Sequence, residues 1–408
     1  MPLANTAHSY GSVARRLHWI TAALILAALP LGVIANDLPY GTSEELLHKA
    51  RMFSLHKTLG ITAFFTGLAR ILWAVTQTHP APLHPERRAE TLLANAVHWM
   101  LYVSLLAVPL TGWIHHAATS GFAPILWPLG QGLPFVPTSE AVAGAAASLH
   151  GTFTKLLAAS VVLHVAGALK HHLFDRDSTL LRMISGQTSP EDAGSRPPEN
   201  PRAPLPALVA VLTFAAATGL TLFLWQMSAQ PKAAVPAAAG TQLETGNWQV
   251  EEGQLAITAR QLGAPVTGQF DRWQADIRYD DRANSPTGTV SVRIDMASLR
   301  LGSVTTQAQG ADFLDIFNHS EALFEAAITT GDTGPVAAGT LILRGISHPV
   351  SLPFSLTIEG DSAQMTGSTT LDRRDFGIGQ SYGDEATVGF SVSVDVTLTA
   401  RRVPPDSN

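Results

Sequence analysis

Five apolar runs of about twenty residues, four of them carrying histidine, constrain this chain more than any other feature. They cover residues 17–34, 55–75, 94–114, 149–169 and 205–227. About twenty apolar residues is the length a helix needs to cross the hydrocarbon core of a bilayer. Inside lipid the backbone has to satisfy its own hydrogen bonds, so each run is expected to be helical. The fourth run is the least apolar, because His150, Lys155 and His164 interrupt it. Two weaker runs, 122–129 and 142–147, are too short to span and are assigned to a loop.

Lys and Arg near the ends of the runs set an expected orientation. Arg15 and Arg16 precede the first run, and Arg87 and Arg88 separate the second from the third. Lys170, Arg176, Arg182, Arg196 and Arg202 separate the fourth from the fifth. Between the third and fourth runs there is no Lys or Arg, and between the first and second only Lys49 and Arg51, offset by Glu44 and Glu45. This pattern puts the N-terminus in the cytoplasm and everything after the fifth run outside. The first run follows two arginines as a signal peptide would, but it is long for one and carries a histidine that the arrangement below uses. The net charge of −6 gives no case for nucleic acid. The absence of cysteine excludes disulfides, thiolate metal sites, iron–sulfur clusters and covalent haem attachment.

After residue 241 the hydrophobic pattern changes from long runs to alternation. Val290-Ser-Val-Arg-Ile and Phe390-Ser-Val-Ser-Val-Asp-Val-Thr-Leu-Thr have the period of two that marks half-buried strands. Turn signals at Tyr279-Asp-Asp-Arg-Ala-Asn-Ser-Pro and Glu359-Gly-Asp separate them. About eight short strands in this space point to a sandwich or closed barrel, with one short helix expected near 311–317. Residues 185–204, rich in Pro, Ser, Glu and Arg, read as a cytoplasmic linker. The Ala/Pro-rich segment 231–240 reads as a tether. The expected domains are a helical unit over 1–185, a linker over 186–204, a fifth spanning helix over 205–227, a tether over 228–245 and a barrel over 246–403.

Fifteen histidines are many for such a chain, and those inside apolar runs are costly unless functional. His150 and His164 lie fourteen residues apart on one helix. At about 100° and about 1.5 Å per residue they share a face and stand roughly 21 Å apart along the axis. Each needs a partner at its own depth. With the N-terminus inside, His18 lies near the inner surface and His56 near the outer one, so His18 pairs with His164 and His56 with His150. Two imidazoles from facing helices fill both axial positions of a haem iron, as suits electron transfer. The competing view is that these are buried or interfacial structural histidines. A metal-only site is a weaker rival, because roughly 21 Å is far too long for a binuclear centre.

Other residues stand between two readings. Arg70, fourteen residues after His56, either pairs with a haem propionate or snorkels to the surface. His171 either donates to a quinone or is a surface histidine. His98, His115, His116 and His172 read as helix-end histidines. Trp19, Trp99 and Trp113 fit an interfacial belt, and Gly60 and Gly67 read as positions of close packing against a helix or haem plane.

The motifs Arg16-Leu-His-Trp19, Leu55-His-Lys-Thr-Leu-Gly60, Leu163-His-Val-Ala-Gly-Ala-Leu-Lys-His-His-Leu-Phe174 and Asp177-Ser-Thr-Leu-Leu-Arg-Met183 resemble those of the prokaryotic cytochrome b561 family over the first ~185 residues. The resemblance implies two haem b groups held by His18, His56, His150 and His164. It also implies exchange of electrons with membrane ubiquinone, and in one branch oxidation of superoxide at the outer face. The pieces Gly268-Gln-Phe-Asp-Arg-Trp273, Ala311-Asp-Phe-Leu-Asp-Ile-Phe317, Gly339-Thr-Leu-Ile-Leu-Arg-Gly345 and Leu371-Asp-Arg-Arg-Asp-Phe-Gly-Ile378 resemble YceI-like, polyisoprenoid-binding domains. That resemblance implies a lipocalin-like barrel around an isoprenoid lipid. Its motif positions suggest Phe270, Trp273, Phe313, Phe317, Phe324 and Phe376 as lining residues, each equally readable as plain core.

The expected architecture is a four-helix dihaem membrane bundle, one further transmembrane helix, and an all-β lipocalin-like barrel. The expected protein is a multi-pass oxidoreductase of a bacterial inner membrane with its barrel in the periplasm. It transfers electrons between quinone and an outer partner, either superoxide or a periplasmic redox protein. The alternative is a lipid- or quinone-presenting protein in which the helices mainly anchor the barrel.

Overall fold

The computed structural model describes residues 2–84, 86–119, 123–187, 204–229, 246–280, 287–331 and 334–403. Most of the linker expected at 185–204, the tether at 231–240 and the turn at 281–286 lie outside the described residues. The contacts separate into a mainly helical unit and a β unit.

The helical elements are α1 (Ser12–Asp37), α2 (Ser43–Thr76), α3 (Arg88–Ala118), α4 (Glu140–Lys170), the short α5 (Thr179–Ile184) and α6 (Pro204–Ala229). Each of the five long apolar runs lies in one helix. Among the described residues, five helices are long and apolar enough to cross a membrane. The segment 142–147, expected in a loop, belongs instead to the first turns of α4. Ser139 caps that helix by accepting from the Val142 N–H at 3.5 Å, and the Ala-rich segment behind it is a strong helix former. Residues 123–129 carry no helix, as expected; Phe122 lies outside the described residues.

α3 and α4 pack most closely, and α6 lies against both. Along α6 the contacts with α4 run antiparallel. Phe153 and Phe214 meet at 5.1 Å between ring centroids, and Thr221 Oγ1 donates to Thr152 Oγ1 at 3.0 Å. Near the far end, a Cβ on Gly144 would stand 3.0 Å from Trp225 Nε1. Among the described residues, neither α1 nor α2 approaches another helix along its length as closely as α3 approaches α4. Those two helices reach their neighbours through side chains, which leaves room between the backbones. Beyond Lys170 the helix widens into a π turn, His171–Asp175, and Arg176 turns the chain in a left-handed conformation, φ 54°. α5 is then tied back: Arg15 donates to Ile184 O, Trp19 Nε1 to Met183 O, and the buried Arg182 to Ala81 O.

The β unit contains β1 (Trp248–Gln261), β2 (Ala264–Phe270), β3 (Trp273–Asp280), β4 (Thr287–Asp295), β5 (Leu299–Arg300), β6 (Glu321–Gly331), β7 (Gly334–Leu343), β8 (Ile346–Glu359), β9 (Ser362–Asp372) and β10 (Ser391–Arg402). Eight of these close an antiparallel ring in the order β1-β3-β4-β6-β7-β8-β9-β10, with β10 pairing back to β1. β2 folds back on the second half of β1 and carries β5. Closure removes the unpaired edges an open sheet would expose. β8 shows why the sequence makes a barrel wall: Val350, Leu352, Phe354, Leu356 and Ile358 face inward and line the interior, while Ser351, Pro353, Ser355 and Thr357 face out. The Glu359-Gly-Asp signal is the tight β8–β9 turn, with Gly360 at φ 63°, a conformation that favours glycine. The helix expected near 311–317 is not there. A short helix, α7 (Thr305–Gln309), precedes that segment, which is itself a series of turns with Asp315 at φ 47°.

Candidate functional site

The four histidines singled out from the sequence come together as two pairs. His18 of α1 and His164 of α4 stand 6.0 Å apart between ring centroids. His56 of α2 and His150 of α4 stand 6.2 Å apart. A metal ion ligated by imidazole nitrogens at about 2 Å on each side holds two ring centroids roughly 6 Å apart, so either pair fits a single iron between them.

Both rings of the second pair are anchored in the same way. His56 Nδ1 donates to Ala28 O of α1 at 3.0 Å, and His150 Nδ1 donates to Val108 O of α3 at 2.9 Å. Such a bond fixes the tautomer and leaves Nε2 as the lone-pair nitrogen available to a metal. In each case a glycine four residues beyond the carbonyl makes room for the ring. A Cβ on Gly32 would stand 2.7 Å from His56 Cε1, and one on Gly112 would stand 3.0 Å from His150 Cε1. Each socket also has a proline nearby, Pro30 in α1 and Pro109 in α3; proline removes one backbone donor and loosens a helix locally. One turn after His56, Gly60 has nothing within 4 Å of where a Cβ would be, so the space beside that imidazole is clear. A Cβ on Gly67, by contrast, would stand 3.1 Å from Leu105 Cβ of α3. Paired imidazoles, wider helix spacing and cleared glycines together suit a flat, iron-centred group.

The His18–His164 pair has different company. Arg70 Nη2 lies 3.1 Å from His18 Nδ1, and its guanidinium stands 5.6 Å from the Tyr102 ring. His98 sits edge-on to His164 at 5.0 Å. Two other helix-end histidines have structural partners: His115 bonds Ala143 O, and His116 lies between Lys57 Nζ and Gln131 Oε1; His172 is exposed.

His171 lies inside a charged network. Its Nδ1 is 2.6 Å from Asp177 Oδ2 and its Nε2 is 3.2 Å from Glu90 Oε1. His84 stacks on it at 6.2 Å and reaches Asp177 at 3.2 Å. Lys170 pairs with Glu90 and Asp175, and Arg87 with Asp175. Burial pushes the Asp177 carboxyl up, but hydrogen bonds from Thr179 and His171 outweigh it and hold the group below the usual carboxylate range. His84, His171 and Asp177 could chelate a cation, their ligand atoms lying within 4.8 Å of one another. Sequence reasoning missed His84, Glu90 and Asp177, because only the π turn and the loop before α3 bring them to His171.

The barrel encloses a cavity of about 320 Å³ with almost purely apolar walls. Phe270, Trp273, Phe313, Phe324 and Phe376 line it. Phe317 does not: it is 95% exposed. The left-handed turn at Asp315 breaks the alternation, and Ile316 packs inward in its place. Sequence reasoning also missed Gln261, Gln307 and Arg373, polar residues at one end of the cavity.

Comparison with known proteins follows the same division. Residues 9–186 match the family model for prokaryotic cytochrome b561, and residues 247–400 match the YceI-like domain. Cytochrome b561 homolog 2 of Escherichia coli (strain K12) is 33% identical over 193 residues, which is 46% of this chain and 98% of that protein. A UPF0312 protein of Pseudomonas putida (strain W619) is 28% identical over 140 residues, covering 32% of this chain and 72% of that protein. Among solved structures, BcnA of Burkholderia cenocepacia has a TM-score of 0.34 at 23% identity, covering 36% of this chain and 95% of that one. With its paired histidines, its membrane-length helices and a relative matched over nearly its whole length, this chain belongs to the prokaryotic cytochrome b561 family, and it carries a YceI-like barrel in addition.

Proposed function

We propose that the helical unit is a dihaem b-type electron-transfer unit of a bacterial inner membrane, linking the quinone pool to a partner at the outer face. We further propose that the barrel lies in the periplasm and holds an isoprenoid lipid or a quinone. Membership of the cytochrome b561 family implies b-type haem. The observation that carries the finer reading is the pair of centroid distances, 6.0 and 6.2 Å, each suited to one bis-imidazole iron. His18 with His164 would hold one haem, and His56 with His150 the other. Haem so ligated supplies reversible one-electron chemistry.

The chain's own residues do the remaining work. The Ala28 and Val108 carbonyls hold His56 and His150 in the tautomer a metal needs. Arg70 supplies a cation beside His18, suited to an acidic haem substituent. His171, between Asp177 and Glu90, is placed to hold a proton, and reduction of a quinone to its quinol consumes two protons with two electrons. The asymmetry of Lys and Arg supports a cytoplasmic N-terminus. Superoxide is the outer donor favoured by the resemblance: two superoxide anions give up two electrons and leave as dioxygen, and ubiquinone accepts the electrons.

Haem quantitation with a reduced-minus-oxidised spectrum tests the core of this reading. The purified chain is expected to hold two haem b, and His150→Ala to hold one. A wild-type chain with no haem, or with one, would end it. A quinone-dependent redox change on adding superoxide tests the finer assignment. The apolar cavity also favours a second reading, a lipid- or quinone-presenting protein with the helices mainly as anchor. Lipid extraction and mass spectrometry test that reading, and an empty barrel counts against it.

A further inference from the structure

Asp177 is a buried carboxylate whose partners are mostly imidazoles. Its side chain is 4% exposed, and a buried charge has to be paired or to coordinate a metal. The Thr179 N–H donates to Oδ1 at 2.9 Å. Oδ2 faces two rings, with His171 Nδ1 at 2.6 Å and His84 Nε2 at 3.2 Å. Among the described residues, no Lys or Arg pairs with this carboxylate. The neighbouring cations are engaged elsewhere: Lys170 bridges Glu90 and Asp175, and Arg87 pairs with Asp175.

A tetrahedral zinc site holds its nitrogen and oxygen ligands at about 2.0–2.2 Å, which sets those atoms roughly 3.3 Å apart. Here two of the three separations are 2.6 and 3.2 Å, and the third lies within 4.8 Å. The far nitrogens of both rings supply a second, independent observation. His171 Nε2 stands 3.2 Å from Glu90 Oε1, and His84 Nδ1 stands 3.4 Å from Glu86 Oε1. Each imidazole thus turns one nitrogen to Asp177 and the other to a separate carboxylate. A histidine that ligates a metal ordinarily donates its other N–H to such a carboxylate, which fixes the tautomer and makes the ligand more basic. A neighbouring group, Glu90, His171 and Asp175, also has converging ligand atoms. There, however, Lys170 Nζ already lies 2.5 Å from Glu90 and 2.8 Å from Asp175 and fills the place of a cation.

We propose that His84, His171 and Asp177 form a site for one Zn2+ ion, with Glu86 and Glu90 orienting the two imidazoles. Imidazole donors select a transition metal over Mg2+ or Ca2+, which prefer oxygen. The side chains of His84 and His171 are partly exposed, which leaves a route for the ion and room for water as the fourth ligand. Bound zinc ties the loop before α3 to the π turn and to the start of α5. It also takes the lone pair of His171 Nδ1, so zinc and a proton on that nitrogen exclude each other. The site stands whether or not His171 serves a quinone.

The test uses the full-length haem protein in detergent, without a polyhistidine tag and stripped of metal with EDTA. Zinc chloride is titrated in by calorimetry, with magnesium chloride as the comparison, and metal retained after desalting is counted by mass spectrometry. About one Zn2+ per chain is expected, with no comparable uptake of Mg2+. His84→Ala should weaken zinc binding by at least about 10–100-fold with haem content unchanged. X-ray absorption at the zinc edge of the wild-type protein should show two imidazoles in the coordination shell, and this measurement needs no variant. A wild-type chain that takes up no zinc at micromolar concentration overturns the proposal. So does an affinity unchanged in His84→Ala, or a zinc shell without imidazole.

Discussion

Replacing Gly32 by alanine puts the smallest possible obstacle into the socket that holds His56. The added Cβ would stand 2.7 Å from His56 Cε1 and 2.9 Å from Nδ1. Carbon atoms rest at about 3.5–4.0 Å, so the ring retreats by roughly 0.8 Å or more. The Nδ1–H···O bond to Ala28, now 3.0 Å, then stretches beyond the range in which it counts as a hydrogen bond. The direct loss is about 1 kcal/mol. Alanine for glycine in a helix returns roughly 1 kcal/mol, so the thermal stability of the apoprotein changes little. The iron feels the change more, because loss of a partner that orients a ligand typically lowers metal affinity about 10–100-fold. We expect Gly32→Ala to lose much of one haem under dilution or mild denaturant while keeping the haem at His18 and His164. The assay is haem per chain by pyridine haemochrome, with a helical melt on the same samples. Gly219→Ala is the control, since nothing lies within 4 Å of a Cβ there; it should keep full haem content. If Gly32→Ala retains both haems as firmly as the wild type, the socket argument is wrong.

Three further outcomes are expected. Phe214→Ala removes the ring packed at a tilt against Phe153 and should cost roughly 2 kcal/mol of α4–α6 packing, less than in a soluble core because between helices in lipid only the packing contacts are lost; a lowered melting temperature in detergent checks it. Arg373→Met leaves five carbonyls without their donor and should destabilise the barrel by roughly 4 kcal/mol, read as faster hydrogen exchange in β9 and β10; unchanged exchange would refute it. Asp372 caps the turn after β9 and pairs with Arg374, whose hydrogen bond holds its carboxyl down at about 2. Because that value is depressed in the folded state, its contribution is present above pH ~4 and is lost as pH falls toward 2. Asp372→Asn should therefore lower stability at neutral pH and flatten the acid limb of a pH–stability profile.

The sequence disclosed the parts of this molecule that depend on period and length. Long apolar runs gave the helices, alternation from Val290 and from Phe390 gave the strands β4 and β10, and the fourteen-residue spacing on α4 gave the histidine pairing. What it hid depends on backbone atoms and on residues brought together from afar. No side-chain pattern announces that the Ala28 and Val108 carbonyls receive imidazoles, although Gly32 and Gly112, each four residues later, are a trace of it. His84 and Asp177 meet His171 only because a π turn bends the chain back. Phe317 was misread because a motif position says nothing about φ at Asp315. The segment 142–147 differs because a run too short to span by itself can still form the capped start of a longer helix.

α4 contributes one member to each histidine pair, so a single covalent rod sets how far apart the two centres stand. Inserting one residue between His150 and His164 would swing one ring by about 100° and unseat it. Two added turns would keep both rings on their face and separate the centres by roughly 11 Å more. The gap can therefore change over evolutionary time only in whole-turn increments, whatever the thickness of the surrounding bilayer does.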